Sequence, residues 1–203
     1  MKQTFKYFLD PENYSYLLSG EHECEICHQT KPCFDGSVYF GEEDYTAFCF
    51  DCVAEGRLGE VDAFAVELDV EGLQNQLKAK NLSTPEIKKI INAKTDELQN
   101  CTPKLPTEDL LWPTHCGELC QFIRLAGQTD FNELAPDGDG KAFFTSSLDP
   151  EIREDTEIDE LWPDLKPEKI SNLKEKSNPQ AYLFKCLHCG TYVALWDYDS
   201  SNE

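Results

Sequence analysis

The chain is expected to fold as an α+β protein in which small zinc modules are joined by helices into a compact body. Three observations carry that expectation. Two C-x-x-C pairs, Cys24 with Cys27 and Cys49 with Cys52, stand twenty-one residues apart. A later cysteine set ends in Cys186-Leu187-His188-Cys189 between two β-prone runs. Between these sets, residues 53–100 carry apolar side chains at helical spacing.

The first module follows from the thiols. A pair two residues apart can close on one ion, and two such pairs supply the four sulfurs that tetrahedral Zn²⁺ prefers. The stretch Ser37 to Phe48 reads as a β-hairpin, aromatic strands around the acidic turn Glu42-Glu43-Asp44. Val53 and Ala54 then open a helical turn, so knuckle, hairpin and second pair predict a treble-clef-like site. His22 and His28 flank the first pair and read as bystanders, because four sulfurs are already present. Tyr14, Tyr16 and Leu17 are expected to pack beside this site.

The helical region follows from periodicity. Val61, Phe64, Ala65 and Leu68 share one helical face, and Leu73 with Leu77 restart the pattern after Gly72. Ser83-Thr84-Pro85-Glu86 joins a capping hydroxyl to an early proline and a glutamate three residues on, a strong helix start. Ile87, Ile90, Ile91 and Leu98 give that helix its apolar side. These read as packing helices.

Pro103, Pro106 and Pro113 make a rigid connector that delivers Trp112 and then His115-Cys116. A short helix is expected over Glu118 to Ala126, with Leu119, Phe122 and Ile123 inward and Gly127 as its stop. Cys186 and Cys189 lie between Ala181–Phe184 and Thr191–Trp196, which predicts a knuckle at a hairpin tip, as in a zinc ribbon. Of ten cysteines, four fill the first site. Cys116, Cys120, Cys186 and Cys189 would then make a second, leaving Cys33 and Cys101 as small buried residues. Whether His115 or His188 replaces a cysteine stays open. The cofactors expected are thus two structural Zn²⁺ ions, one in a module of residues 1–100 and one in a module of residues 101–203. Asp137-Gly138-Asp139-Gly140 resembles the start of a calcium loop, but Lys141 occupies an oxygen-ligand position, so it reads as a surface turn.

Eighteen basic residues against thirty-nine acidic ones give a net charge of −21. Thiolate-bound zinc would make it more negative still. Such a chain repels phosphate backbones, which argues against direct nucleic-acid binding and favours a basic protein partner. No apolar run approaches the roughly twenty residues that span a bilayer, and no leader pattern stands at Met1, so a cytoplasmic protein off the membrane is expected. In that reducing setting C-x-x-C reads as metal-binding before disulfide. The acids Glu154, Asp155, Glu157, Asp159 and Glu160, with Glu42, Glu43 and Asp44, would contact the partner, and Trp162 or Tyr45 would anchor it.

The catalytic patterns H-E-x-x-H, H-x-E with P-C-x-x-C, G-x-x-x-x-G-K-[ST] and G-x-S-x-G are all absent. A site closed by four thiolates keeps no open position for substrate, so the expectation is a non-enzymatic protein. The alternatives are a zinc enzyme with an open site near Cys116 and Cys186, or a general interaction module.

Phe5-Lys6-Tyr7, Asp10-Pro11, the two knuckles with Ala54-Glu55-Gly56, Cys101-Thr102-Pro103, Trp112, His115-Cys116, Cys120 and Tyr182-Leu183-Phe184-x-Cys186-x-x-Cys189-Gly190 recur in order. In this the chain resembles the CbrC-like bacterial proteins over nearly its whole length. That resemblance implies no catalytic residues. It carries a label of tolerance to a colicin, a nuclease toxin, and so implies an immunity or antitoxin protein that covers a basic toxin domain.

Overall fold

The structure is a computed structural model that describes residues 4–107 and 110–198. After a short helix α1 (Pro11–Tyr14), strands β1 (Leu17–Glu23), β2 (Thr30–Asp35) and β3 (Ala47–Cys49) form an antiparallel sheet in that order, running directly into helix α2 (Phe50–Ala54). Helices α3 (Val70–Ala79) and α4 (Thr84–Cys101) follow. A second antiparallel sheet takes β4 (Thr114–His115), β5 (Glu118–Ala126), β6 (Gln180–Cys186) and β7 (Tyr192–Asp197) in sequence order. Between β5 and β6 the chain makes α5 (Gln128–Leu134), α6 (Gly140–Ser147), α7 (Pro150–Asp155) and α8 (Ile158–Asp164).

The second sheet is covered on both faces, and its side chains sort with a period of two. Tyr182, Phe184, Val193 and Leu195 enter the main buried cluster. Their neighbours Ala181, Leu183 and Ala194 enter a second one with Phe131 and Phe144. The main cluster draws from Phe5 through Leu195, so the stretches 1–100 and 101–203 meet in it. At its centre Phe122 packs edge-on against Phe8 at 4.8 Å and Phe184 at 5.3 Å. Trp112 lies 5.3 Å from Phe184, and its indole N–H donates to the Cys120 carbonyl at 2.8 Å. Each such side chain contributes about 1.5–3 kcal/mol by leaving water.

The capping box is present: Glu86 accepts from the Ser83 backbone N–H at 2.9 Å and from its hydroxyl. Asp139 caps α6 by accepting from the Ala142 N–H at 3.0 Å, so the Asp137–Gly140 segment is a turn, as expected.

Three expected elements differ. Glu118 to Ala126 is a strand, not a helix: a bulge between Phe122 and Arg124 breaks the two-residue alternation and leaves an apolar spacing that mimics a helix. The hairpin expected within Ser37–Phe48 is instead formed by β2 and β3. Residues 36–38 make a 3₁₀ turn, and Phe40 bridges to Phe64. The face Val61, Phe64, Ala65, Leu68 is not helical: a 3₁₀ turn ends at Val61, and Leu68 bridges to Trp112. Tyr14 packs away from the expected site, edge-on to Phe122 at 6.1 Å, with its hydroxyl donating to the Ile170 carbonyl.

Candidate metal centres

At the first centre Cys24 follows the end of β1, Cys27 closes the tight turn after it, Cys49 ends β3 and Cys52 sits in α2. The β1–β2–β3 pairing folds the two knuckles onto each other, and one sulfur of each residue lies within 4.8 Å of all the others. Cys27 Sγ and Cys49 Sγ are 3.7 Å apart. A tetrahedron with metal–sulfur bonds of about 2.3 Å has edges of about 3.8 Å, so the residues fit a metal ion. The turn is closed by the His28 N–H donating to the Cys24 carbonyl at 2.9 Å, which places His28 at φ 55°. His28 is exposed and outside the ligand set, and His22 turns to the Ser19 carbonyl.

Burial acts to raise the Cys24 thiol, yet the N–H groups of Cys49, Cys27 and Ile26 hold it down to about 7. Arg57 reaches Cys52 Sγ at 3.4 Å, a cation set against the sulfur charge. Cys33 lies opposite Cys49 in the sheet but is no ligand. Burial pushes its thiol up to about 12, and it donates to the Lys31 carbonyl at 3.3 Å. Cys101 is half-buried at the end of α4, its thiol donating to the Glu97 carbonyl.

The second centre is built from two hairpin tips. Thr114 and His115 pair with Leu119 and Glu118, leaving Cys116-Gly117 as a two-residue turn. Both turn residues have positive φ, 58° and 70°, the backbone of a type I′ hairpin. Cys186 and Cys189 form the other tip, closed by the Gly190 N–H donating to the Cys186 carbonyl at 2.9 Å. Donor atoms of His115, Cys116, Cys186 and Cys189 converge within 4.8 Å, with His115 Nδ1 3.4 Å from Cys189 Sγ.

The converging set has His115 where the expected set had Cys120, one of the two replacements the sequence leaves open. The turn at 116–117 reverses the chain, so Cys120 lies three residues along β5, opposite Cys186. It is fully buried, and burial followed by the neighbouring Cys186 sulfur raises its thiol. His188 is exposed and not in the set. Thr191 holds Cys189 down to about 6 with its hydroxyl and N–H, the former 3.2 Å from the sulfur. The first tip is clamped from α3. Gln76 donates to the Thr114 carbonyl at 2.9 Å and accepts from the Gly117 N–H at 2.8 Å, while Lys80 donates to the Cys116 carbonyl. Sequence reasoning missed Gln76 and Lys80, since nothing local marks a contact across 38 or 36 residues, and it missed Arg57 and Thr191 although they stand only five and two residues from the cysteines they touch.

The expected contact residues fall into two groups. Glu42, Glu43, Asp44, Glu154, Asp155, Glu157, Asp159 and Glu160 are all exposed. Asp159 is paired with Lys141 at 2.5 Å, and that hydrogen bond holds its carboxyl below the usual range. The two expected apolar anchors both pack against the chain's own aromatic rings. Tyr45 is buried, with its hydroxyl donating to the Val61 carbonyl and its ring 5.2 Å from Phe48. Trp162 is half-buried against Phe131 at 6.2 Å and Phe144 at 5.9 Å.

A family model described as an uncharacterised protein family, UPF0167, matches residues 3–198. The chain belongs to this family. Two relatives, UPF0167 protein Mb2317 of Mycobacterium bovis and UPF0167 protein MT2352 of Mycobacterium tuberculosis, are each 29% identical over 199 residues. That covers 96% of this chain and 92% of each relative. No solved structure matches. The matched residues 3–198 take in both centres, so the whole family region, and not one knuckle, is the unit compared. Among the described residues no helix is long and apolar enough to cross a membrane.

Proposed function

We propose that this UPF0167 protein is a non-enzymatic, zinc-stapled acidic binding protein of the cytoplasm. It would neutralise a basic toxin nuclease domain by covering its nucleic-acid-binding surface. The observation that carries the reading is that each centre brings four protein donors together, enough to fill the shell of a tetrahedral ion. Sulfur-rich sets of this kind select zinc over oxygen-seeking cations. We read the first centre as treble-clef-like and the second as ribbon-like. The resemblance to colicin-tolerance proteins supplies the partner class, and the net charge of −21 supplies electrostatic steering towards it.

The test is association with a colicin-type nuclease domain at rising salt. Affinity is expected to fall with ionic strength, and Glu157→Lys with Asp159→Lys to slow the low-salt on-rate by about tenfold. An on-rate unchanged by either salt or substitution contradicts the reading. A zinc enzyme at the second centre is the alternative, favoured by the histidine in that set and the exposure of Cys189. X-ray absorption separates the two: an oxygen ligand on the second ion supports the enzyme, and nitrogen with sulfur alone supports the staple.

A further inference from the structure

Two exposed apolar side chains line one cavity. Leu111 is 47% exposed and Phe40 40%. Leu110 and Leu111 are shared by two neighbouring cavities, one of about 250 Å³ that includes Phe40 and one of about 470 Å³. Backbone pairing ties the start of α3 to the segment that carries Leu111. The Trp112 N–H donates to the Glu67 carbonyl at 2.7 Å, and the Asp69 N–H donates to the Trp112 carbonyl at 3.1 Å.

The larger cavity has an apolar wall that includes Leu110, Leu111 and Ile152, and carboxylates at Asp69, Glu71 and Asp149. Among the described residues no lysine or arginine lines it. Asp69 has a structural duty, capping α3 through the Gly72 N–H at 2.8 Å, while Glu71 is exposed in the first turn of that helix. An apolar slot edged by the exposed Glu71 carboxylate selects among occupants. Anionic ligands and anionic membrane surfaces are repelled. A second copy of the chain would set −21 against −21. A cationic segment with an apolar side chain gains from both kinds of wall.

We propose that the cleft walled by Leu111, Ile152 and Glu71 is a docking site for a protein segment presenting an apolar side chain flanked by lysine or arginine. This rests on the acidic-binder reading above and names where its partner would sit. The acids at 42–44 and 154–160 then steer the partner from a distance, while the lasting contact is made in the cleft.

The probe is a short synthetic peptide alternating leucine and lysine, compared with a serine–lysine peptide of equal charge. Both are titrated into the metal-loaded full chain and followed by backbone amide NMR. The expected result is shifts at Leu110, Leu111, Glu71 and Ile152 with the leucine peptide, and weaker binding of the serine peptide. Leu111→Asp is expected to weaken the leucine peptide by at least about tenfold. Glu71→Lys is expected to weaken it by a smaller factor, and Glu157→Lys to leave it unchanged. Circular dichroism and metal content verify that both cleft variants are folded. Equal binding of the two peptides overturns the proposal. So does a dimer of this chain that Leu111→Asp dissociates. Shifts confined to 42–44 or 154–160 overturn the cleft and leave the acidic-binder reading standing. If neither peptide binds at millimolar concentration, both fall.

Discussion

The two metal centres use nearly the same donors in opposite settings. At the first, three of the four cysteines are buried, and they come from the ends of two strands, a turn and a helix. At the second, only Cys186 is buried and Cys189 is exposed, and all four donors sit on two hairpin tips. Behind the second centre the sheet is held by the aromatic cluster of Phe8, Trp112, Phe122 and Phe184. Around the first, Phe34 packs on Phe50 at 4.4 Å and Phe48 on Tyr39 at 5.0 Å, and Cys24, Cys33, Cys49 and Cys52 are themselves part of the buried cluster. The difference teaches that an ion held at the first centre would be built into a core, while one held at the second would fasten exposed tips to a sheet already packed behind them. Structural zinc contributes about 10–16 kcal/mol of apparent binding energy, against about 5–15 kcal/mol for the stability of a whole domain.

The largest predicted effect breaks this comparison outright. Cys52→Ser is expected to unfold the region around β1–β3, while Cys189→Ser loses one metal ion and keeps the packing around Trp112. Amide hydrogen exchange reads both, and equal loss of protection in the two variants would remove the distinction. A sharper test concerns the fourth ligand of the second centre. His115→Ala is expected to lower the metal content from two to one per chain after mild dialysis. Cys120→Ala should keep both ions and cost only about 1 kcal/mol in denaturant unfolding, as a small buried truncation. Metal loss in the Cys120 variant with retention in the His115 variant would restore the original assignment.

The smallest effect lies outside both centres. Burial acts to raise the Glu97 carboxyl, but hydrogen bonds from Lys6 and Tyr7 at 2.7 Å hold it below its ordinary value. With the folded value depressed, its contribution is present above the unfolded value of about 4.3 and is lost as pH falls through the folded one. The ion pair is part-exposed, so Glu97→Gln is expected to cost at most about 1 kcal/mol at neutral pH. That difference should vanish in acid melting curves. A gap that persists at low pH would mean that charge is not its source.

Much of this was legible in the chain because the signals are local. C-x-x-C spacing marks both knuckles, Ser83 to Glu86 marks the start of α4, and the runs beside Cys186 and Cys189 mark β6 and β7. What escaped depends on partners remote in sequence. The bulge at Ile123 makes β5 look helical until β6 is placed beside it. The same dependence on remote partners leaves the choice between His115 and Cys120 open, since both fit on spacing alone. The turn residues Cys116-Gly117 were the available clue: a glycine in a two-residue loop reverses the chain and carries Cys120 away from the tip. Tyr45 and Trp162 are expected from the sequence to anchor a partner, but an aromatic ring in an acidic segment is often the part that attaches the segment to the core, as both do here.

The most direct test of the account is a chelator titration of the zinc-loaded chain, followed together by native mass spectrometry and proton NMR. The prediction is two ions per chain, with the second centre emptied first while the resolved aromatic signals of the Trp112 cluster persist, and the β1–β3 region lost with the second ion. A metal-free chain that keeps every native signal would contradict the account, as would two ions leaving together in a single unfolding step.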